Sequence, residues 1–507
     1  MRITNKIMQR NNLSNINTNK IYQDKLSTQM STQKKISRPS DDPVVAIRAL
    51  RLRSNVTEIT QYYSKNIPDA KSWLSVTEDA LKNQAQIMTE MIKQCTKGAN
   101  GDLKSTDRQV ILEQLKGLAE EVYSTANADY AGRYVFTGYR TDTPLSFIKE
   151  ETMKYQITEQ LHKDSVGMVT KVNLGDVLDI TANNFADMTQ VDEDSISSVD
   201  VYRIQLAYNH CCEEDDGELS ITTSDPDIAW TSDDFEIIHS TDDPYTKAAN
   251  DPDAMIYVPE TGEILMGKKN YDKLMSISDD PLTTQDESEI RVSYTKNSWE
   301  AGDLRPEHYF ACKNLTDDIS YNQEYLQGNV ERQDIEYDVG FNQTIRVNST
   351  ADECFQHGIG RTVDDLVNAI QEVVDLETVK CTIESALETA EGEDAKILQQ
   401  QLLAADKALT LSRNKCQKMF EAGITTFQGY LDDANLCITN CGTRSSKLEL
   451  ISNRMQNQKT TFETLKSENE DVDITEVAIQ LNSAELTYEA ALMAAGKVMQ
   501  TTLLNFI

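Results

Sequence analysis

The sequence predicts a multidomain α + β protein. Long N- and C-terminal helices pair in an antiparallel, coiled-coil-like bundle (a rod), with a β-rich domain inserted at its tip. Three observations predict this. Apolar residues recur at a 3-4 spacing near both ends of the chain, the mark of helices with one buried stripe. In the middle the period drops to two, the mark of strands. Charge follows the same division: residues 1–60 hold eleven Lys and Arg against four Asp and Glu, whereas residues 151–350 hold 42 acidic against 14 basic side chains.

Composition narrows the class further. The 507 residues suffice for roughly three domains at ~100–200 residues each. Gly 20 and Pro 10 are few for that length, which favours long uninterrupted elements. A net charge of −34 repels phosphate backbones, so general nucleic-acid binding is excluded. No apolar run is long enough to cross a membrane. The start, MRITNKIMQRNNLSNINTNKIYQ, lacks the apolar core of a cleavable signal peptide.

Taken in order, the first strong helix begins at Ser40-Asp41-Asp42-Pro43. That run offers an N-cap hydroxyl on Ser40, carboxylates facing the positive end of the helix dipole, and a proline where a missing N–H costs little. Val45, Ala49, Leu52, Val56, Ile59 and Tyr63 then share one stripe. A second tract carries Ile67, Ala70, Leu74, Leu81, Met88 and Met91 and stops at Gly98-Ala99-Asn100-Gly101. A third runs from Thr106 through Ile111, Leu115, Leu118 and Val122.

The middle segment contains the β-type runs YQIT, VTKVNL, VYRIQLAY, ELSITT, FEII, MIYV, EILMG, IRVSY and TIRVNS, separated by Asp, Asn, Gly and Pro. MIYVPETGEILMG reads as a hairpin turning at Glu260-Thr261-Gly262-Glu263. Helix resumes at Thr362, with Asp365 as an acidic capping-box partner, and continues through Ile383–Phe420. Phe427, Leu431, Ala434, Ile438, Cys441, Ser445 and Leu448 then keep a strict 3-4 alternation, extended by Met455 and Phe462. The last helix repeats it with Ile474, Val477, Leu481, Ala484, Tyr488, Ala491, Ala495 and Val498, an Ala-rich seam that lets backbones approach closely. Neither helical end can bury its stripe alone, so the two pack on each other.

The resulting division is 41–145 with 345–465 as helical stem, 146–344 as acidic β-rich insert, and 1–40 with 466–507 as terminal helices. The anchors in the first thirty residues (Ile3, Ile7, Leu13, Ile16, Ile21) are too sparse for a stable isolated helix, so these terminal segments are expected to stay disordered until assembly.

Motifs for chemistry are missing. There is no H-E-x-x-H, P-loop, G-x-G-x-x-G or G-x-S-x-G. His210-Cys211-Cys212 has no partner pair at zinc-site spacing. The runs Asp192-Glu193-Asp194 and Glu213-Glu214-Asp215-Asp216 do not match a calcium loop and read as solvated loops. The nine cysteines are odd in number and scattered, so they read as reduced small hydrophobes in helix seams. No catalytic, cofactor-binding or metal residue is assigned, no cofactor is expected, and the chain is not expected to be an enzyme.

Two segments carry a resemblance. Gln29-Met30-Ser31-Thr32 through Lys34-Lys35-Ile36-Ser37-Arg38-Pro39-Ser40-Asp41-Asp42-Pro43 resembles the N-terminal signature of the flagellin superfamily. Flagellins usually carry a leucine-serine-serine-glycine run there, whereas S-D-D-P is the form of the hook-filament junction branch. Gly132-Arg133-Tyr134-Val135-Phe136-Thr137-Gly138-Tyr139 is a second junction-type match. Gly442-Thr443-Arg444 with Asn453-Arg454-Met455 resembles the returning stem helix, and the tail ending Leu503-Leu504-Asn505-Phe506-Ile507 resembles the terminal helix.

The resemblance covers about 1–145 and 345–507. It implies a structural part of the bacterial flagellum, extracellular, exported through the flagellar type III channel without a cleavable signal peptide. Its implied partners are hook-associated protein 1, flagellin, further copies of itself in a ring, and an export chaperone, with no nucleic acid and no membrane. The alternative is flagellin, the filament subunit itself. Ser40, Asp41, Asp42, Pro43, Arg133, Tyr134, Phe136, Gly138 and Tyr139, with Val477, Leu481, Ala484, Tyr488, Ala491, Ala495 and Val498, are the candidate assembly and packing residues.

Overall fold

Four helices lead the chain: α1 (Asn5–Thr32), α2 (Pro43–Gln61), α3 (Ile67–Gly98) and α4 (Ser105–Ala126). The computed structural model describes residues 5–101, 103–181, 184–213, 219–277, 288–327 and 333–500. Between α2 and α3, Tyr62–Asn66 widens into a single π turn. Short strands β1 (Asp129–Tyr130) and β2 (Arg133–Tyr134) follow, then β3 (Tyr155–Leu161), β4 (Gly167–Asn173), β5 (Ser197–Gln205), β6 (Ser220–Thr223), β7 (Ala229–Trp230) and β8 (Glu236–Ile237). After α5 (Pro244–Asn250) come β9 (Met255–Val258), β10 (Glu263–Met266), α6 (Lys268–Met275), β11 (Ile290–Lys296), β12 (Ala311–Asn314), β13 (Ile319–Tyr321) and α7 (Glu324–Gln327). The chain closes with β14 (Glu336–Gly340), β15 (Gln343–Arg346), α8 (Ala351–Cys354), α9 (Gly358–Leu387), α10 (Glu393–Glu470) and α11 (Ile474–Gln500). Long helices at both ends and a β-rich middle are thus the observed fold class.

Two compact units result. One comprises Met1–Lys71, Tyr337–Ile345 and Ser446–Ile507; the other comprises Ser72–Glu336 and Arg346–Ser445.

In the first unit α1 and α11 run antiparallel. Gln33 O accepts from Val472 N at 3.1 Å and Glu470 O from Lys35 N at 2.8 Å. Leu26 packs with Val477 and Ala484, flanked by Val472 and Leu481. The β14–β15 turn lies on helix: Asn66 Nδ2 donates to Asp338 O at 2.8 Å, and Tyr62 meets Phe341 edge-on at 5.8 Å.

Among the described residues the second unit holds two larger sheets besides the β1–β2 pair. A five-stranded sheet has the order β4-β5-β10-β9-β8, and a six-stranded sheet the order β13-β12-β3-β11-β6-β7. Described pairings in them are antiparallel except β8 with β9. The β9–β10 hairpin forms as its sequence predicts, pairing Glu263 with Val258. All eight of its strand residues are buried, and Val258, Ile256 and Leu265 join Val201, Ile238 and Ala248 in one apolar core. The helical half of this unit buries the predicted stripe: Phe427, Ala434 and Cys441 are buried, while Leu431 and Ile438 are half-buried between them.

Three local expectations are corrected. The cap of α2 is Asp42, not Ser40: the Asp42 carboxylate accepts from Val44 N at 3.0 Å and Val45 N at 3.2 Å. Pro43 at the first helical position fixes its predecessor as the cap, and Ser40 is left exposed in the turn. Helix α9 opens at Gly358, not Thr362. The Thr362 hydroxyl instead donates back to Gly358 O at 2.8 Å, and Asp365 pairs with Arg203 at 2.7 Å. Helix is also interrupted between Leu387 and Glu393, where Gly392 takes φ +72°, a conformation that L side chains disfavour.

Candidate assembly surface

The first candidate segment is a turn built on two carboxylates. Asp41 accepts from Arg38 N at 2.9 Å and Ser37 N at 3.2 Å, while its own N–H donates to Arg38 O at 3.0 Å. The Arg38 and Ser37 N–H donors hold its carboxyl below the usual range. Asp42 caps α2, and Pro43 starts it. Asp41 and Asp42 therefore set how the chain turns from α1 into α2, while Ser40 and Pro43 are solvent-facing.

A charged clasp secures this turn against the end of α10. Arg53 donates to both oxygens of Glu470, at 2.6 and 2.7 Å, and Lys34 lies 3.6 Å from the same carboxylate. The Arg53 hydrogen bonds, followed by the charges of Arg53 and Lys34, hold Glu470 below the ordinary carboxylate value. Lys34 also pairs with Asp471. Sequence reading missed this clasp, because its members lie 417 residues apart and no local spacing announces them.

The final helix displays two faces. Along α11, Val477 and Ala484 are buried and Leu481, Tyr488, Ala491 and Ala495 are half-buried. Ile474, the first seam position, is exposed; the side chain of Val498 and the tail from 501 lie outside the described residues. A second row, Ile479, Leu486 and Met493, is spaced by sevens on the other side and is 65–69% exposed. That row was readable as a heptad, but the stronger seam beside it masked the signal. Helix α1 likewise exposes Ile7, Leu13 and Ile21; among its described side chains only Leu26 is buried. Exposed apolar rows make these helices the candidate surface for contact with other chains.

The second candidate segment belongs to the other unit, where it knits the end of α4 to the β-rich region. β1 and β2 pair across Ala131 and Gly132, both at positive φ. Arg133 lies over the Trp73 ring at 4.9 Å. Tyr134 N donates to Thr141 O at 2.8 Å. Phe136 is buried against Phe355, with centroids 4.8 Å apart. Gly138 has φ +60°, and a Cβ there would sit 2.2 Å from Gln333 Oε1, whose oxygen accepts from Tyr139 N at 3.2 Å. Arg133, Tyr134, Phe136 and Gly138 are therefore internal packing residues. Tyr139 is different, with a side chain 65% exposed.

Chemistry elsewhere is sparse. Among the described residues no group of three or more His, Cys, Asp or Glu is placed to hold a metal, and no helix is long and apolar enough to cross a membrane. Glu214, Asp215 and Asp216 lie outside the described residues. Burial pushes the Cys211 thiol up to about 12, and its sulfur donates to Tyr208 O at 3.4 Å.

The comparisons with known proteins bear on the same segments. Residues 3–141 match the bacterial flagellin N-terminal helical region. Flagellar hook-associated protein 3 of Salmonella typhimurium is 31% identical over 144 residues, 28% of this chain and 45% of that protein. Its counterpart in Escherichia coli is 31% identical over 158 residues, 31% of this chain and 48% of that protein. The chain thus spans about half the length of the curated relatives it matches. The crystal structure of Xanthomonas campestris FlgL, 12% identical, aligns over 82% of this chain and 99% of its own at TM-score 0.29, too low to speak for a shared overall fold. Residues 3–141 of this chain resemble the bacterial flagellin N-terminal helical region, and part of the chain resembles flagellar hook-associated protein 3.

Proposed function

We propose that this chain is a structural component of the bacterial flagellum, an adaptor joining the hook-associated zone to the flagellin filament and needed for filament assembly and swimming. It works without catalysis, by packing against two different neighbours. Hook-associated protein 1 lies on one side, flagellin on the other, and further copies of the chain complete a ring. It reaches this extracellular position by flagellar export, escorted by a chaperone, with no role for nucleic acid or membrane.

The single observation that supports this reading most is the pair of faces on α11. One row is zipped onto α1 while Ile479, Leu486 and Met493 stay uncovered, on helices whose N-terminal partner matches the flagellin helical region. The division proposed with it is 1–40 and 466–507 as segments that gain full order only in the assembly, 41–145 with 345–465 as stem, and 146–344 as insert. A helix with one buried anchor gains most of its stability from neighbours, and that supports the first part of this division.

A second reading, that the chain is flagellin itself, draws on the same flagellin N-terminal match. One experiment separates them. Flagella sheared from cells carrying a tagged chromosomal copy are quantified by mass spectrometry and labelled for electron microscopy. The adaptor reading expects a few copies per flagellum at the filament base, and filament loss when residues 474–507 are deleted. A dominant subunit labelled along the whole filament would establish flagellin instead, and normal motility in the deletion strain would refute both.

A further inference from the structure

Within the second unit, the end of α3, the first turn of α4 and the middle of α10 border a cavity of about 180 Å³, lined by Gly98, Asn100, Arg108, Arg413, Asn414 and Gln417 among others. Its charges do not balance. Arg413 Nη2 donates to Glu377 Oε1 of α9 at 2.7 Å, whereas Arg108 Nε stands 3.6 Å from that same oxygen. Among the described residues neither guanidinium pairs with a second carboxylate. Arg108 is 4% exposed, and its Nε has no hydrogen-bond partner. We propose that this cavity binds a small tetrahedral oxyanion of the phosphate or sulfate class, held by Arg108 at its floor and Arg413 at its rim.

Burial sets the demand. A guanidinium taken out of water is destabilising unless charges and hydrogen bonds replace the solvent. Arg203, on β5 of the same unit, shows the complete arrangement: it donates to Glu263 at 2.5 Å and to Asp365 at 2.7 Å. Arg108 is more deeply buried than Arg203, yet it shares one carboxylate oxygen, and Arg413 already takes the hydrogen bond to it. Two cations against one anion leave a positive charge beside the cavity for a ligand to neutralise.

The lining suits an oxyanion. Guanidinium forks match the paired oxygens of phosphate, sulfate and carboxylate. Asn100 and Asn414 add neutral amides at the exposed rim, while Gln417 Nε2 is committed to Glu421 at 3.0 Å. These groups come from the end of α3, from α4 and from α10, so they surround a ligand instead of meeting it in one plane. That favours a tetrahedral anion over a flat carboxylate. The space is ample for four oxygens and solvent, since a single water needs only ~10–15 Å³ of such volume. An anion seated there would tie the start of α4 to α10 and complete the neutralisation of Arg108.

The test titrates the full chain with sodium phosphate, sodium sulfate and sodium acetate at fixed ionic strength, read by calorimetry and by thermal melting. The expected result is saturable binding of one phosphate or sulfate per chain, with a melting midpoint that rises with ligand concentration as mass action requires. Acetate should bind about tenfold more weakly or worse, lacking the further oxygens. Arg413→Gln should weaken phosphate binding by about tenfold, through loss of a charge-assisted contact. Arg108→Met should abolish binding, and Glu377→Gln, which removes the competing carboxylate, should tighten it. Three results would each overturn the proposal: no saturable binding of either anion at millimolar concentration, acetate binding as tightly as phosphate, or unchanged phosphate affinity in Arg413→Gln. A midpoint that rises equally in the natural chain and Arg413→Gln would be a general salt effect and would overturn it too. Arg413 lies at the surface, so its variant decides even if Arg108→Met fails to fold.

Discussion

Glu159 is a carboxyl wholly enclosed in the second unit. Its Oε1 accepts from Ala207 N at 2.8 Å and from the Tyr294 hydroxyl, while Oε2 has no hydrogen-bond partner. Burial outweighs those two bonds and raises its pKa from 4.5 to about 7. Between these values the folded chain holds a proton that the unfolded chain has released. Its contribution is therefore present in full below 4.5 and is lost as pH rises through about 7. The loss amounts to about 3 kcal/mol by linkage. Urea unfolding at pH 5 and pH 8 checks this: the natural chain should weaken over that interval by about 3 kcal/mol more than Glu159→Gln, which cannot ionise. Equal pH dependence in the two proteins would show the carboxyl is not the source. Glu470 has the opposite sign. With Arg53 holding it below its ordinary value, its contribution survives at neutral pH and disappears only on acidification.

The β9–β10 hairpin shows what a single glycine does for an element. Gly262 turns at φ +62°, and a Cβ there would lie 1.9 Å from the Tyr208 carbonyl oxygen. Both strands are buried, so the turn has no slack through which to relieve the clash. Gly262→Ala should cost about 3 kcal/mol or more, read as a lower denaturation midpoint with an unchanged slope. This hairpin was legible because its signal is local, alternating apolar residues beside a turn, whereas the Arg133–Tyr139 segment was picked out by its resemblance alone. Where the signal is not local, reading failed. Strands β12 and β13 span four and three residues and carry no alternation to detect. The start of α9 was misplaced at Thr362 because Gly358 and Gly360 are poor helix formers. Those glycines instead answer tertiary packing: a Cβ at Gly358 would meet the Tyr430 hydroxyl at 2.5 Å and one at Gly360 the Tyr123 hydroxyl at 2.7 Å. The Arg53–Glu470 clasp belongs to the same class, since only the folded chain brings its halves together.

For the molecule as a whole, the two faces of α11 assign different jobs to residues that composition alone would treat alike. Val477 is 3% exposed and touches Leu26 of α1; Leu486 is 69% exposed and is free of that cluster. A carboxylate at the first position would be buried without a partner, so Val477→Asp should unzip α1 from α11 within a single chain. The same charge at the second position stays in water, so Leu486→Asp should leave the isolated chain unchanged. In an assembly the ranking reverses for Leu486, because a neighbour covering that row would bury its charge. Hydrogen exchange on α1 and filament formation in cells read the two effects separately. Val477→Asp should lose protection in α1 and lose filaments, whereas Leu486→Asp should keep protection in α1 and still lose filaments. Ionic strength supplies an internal control. At −34 overall neighbouring copies repel, so added salt should promote association of the natural chain by screening while failing to rescue Leu486→Asp, whose defect is desolvation at close contact. Normal filaments from Leu486→Asp would mean that the uncovered row is not where neighbours dock, and the adaptor reading would lose its main structural support.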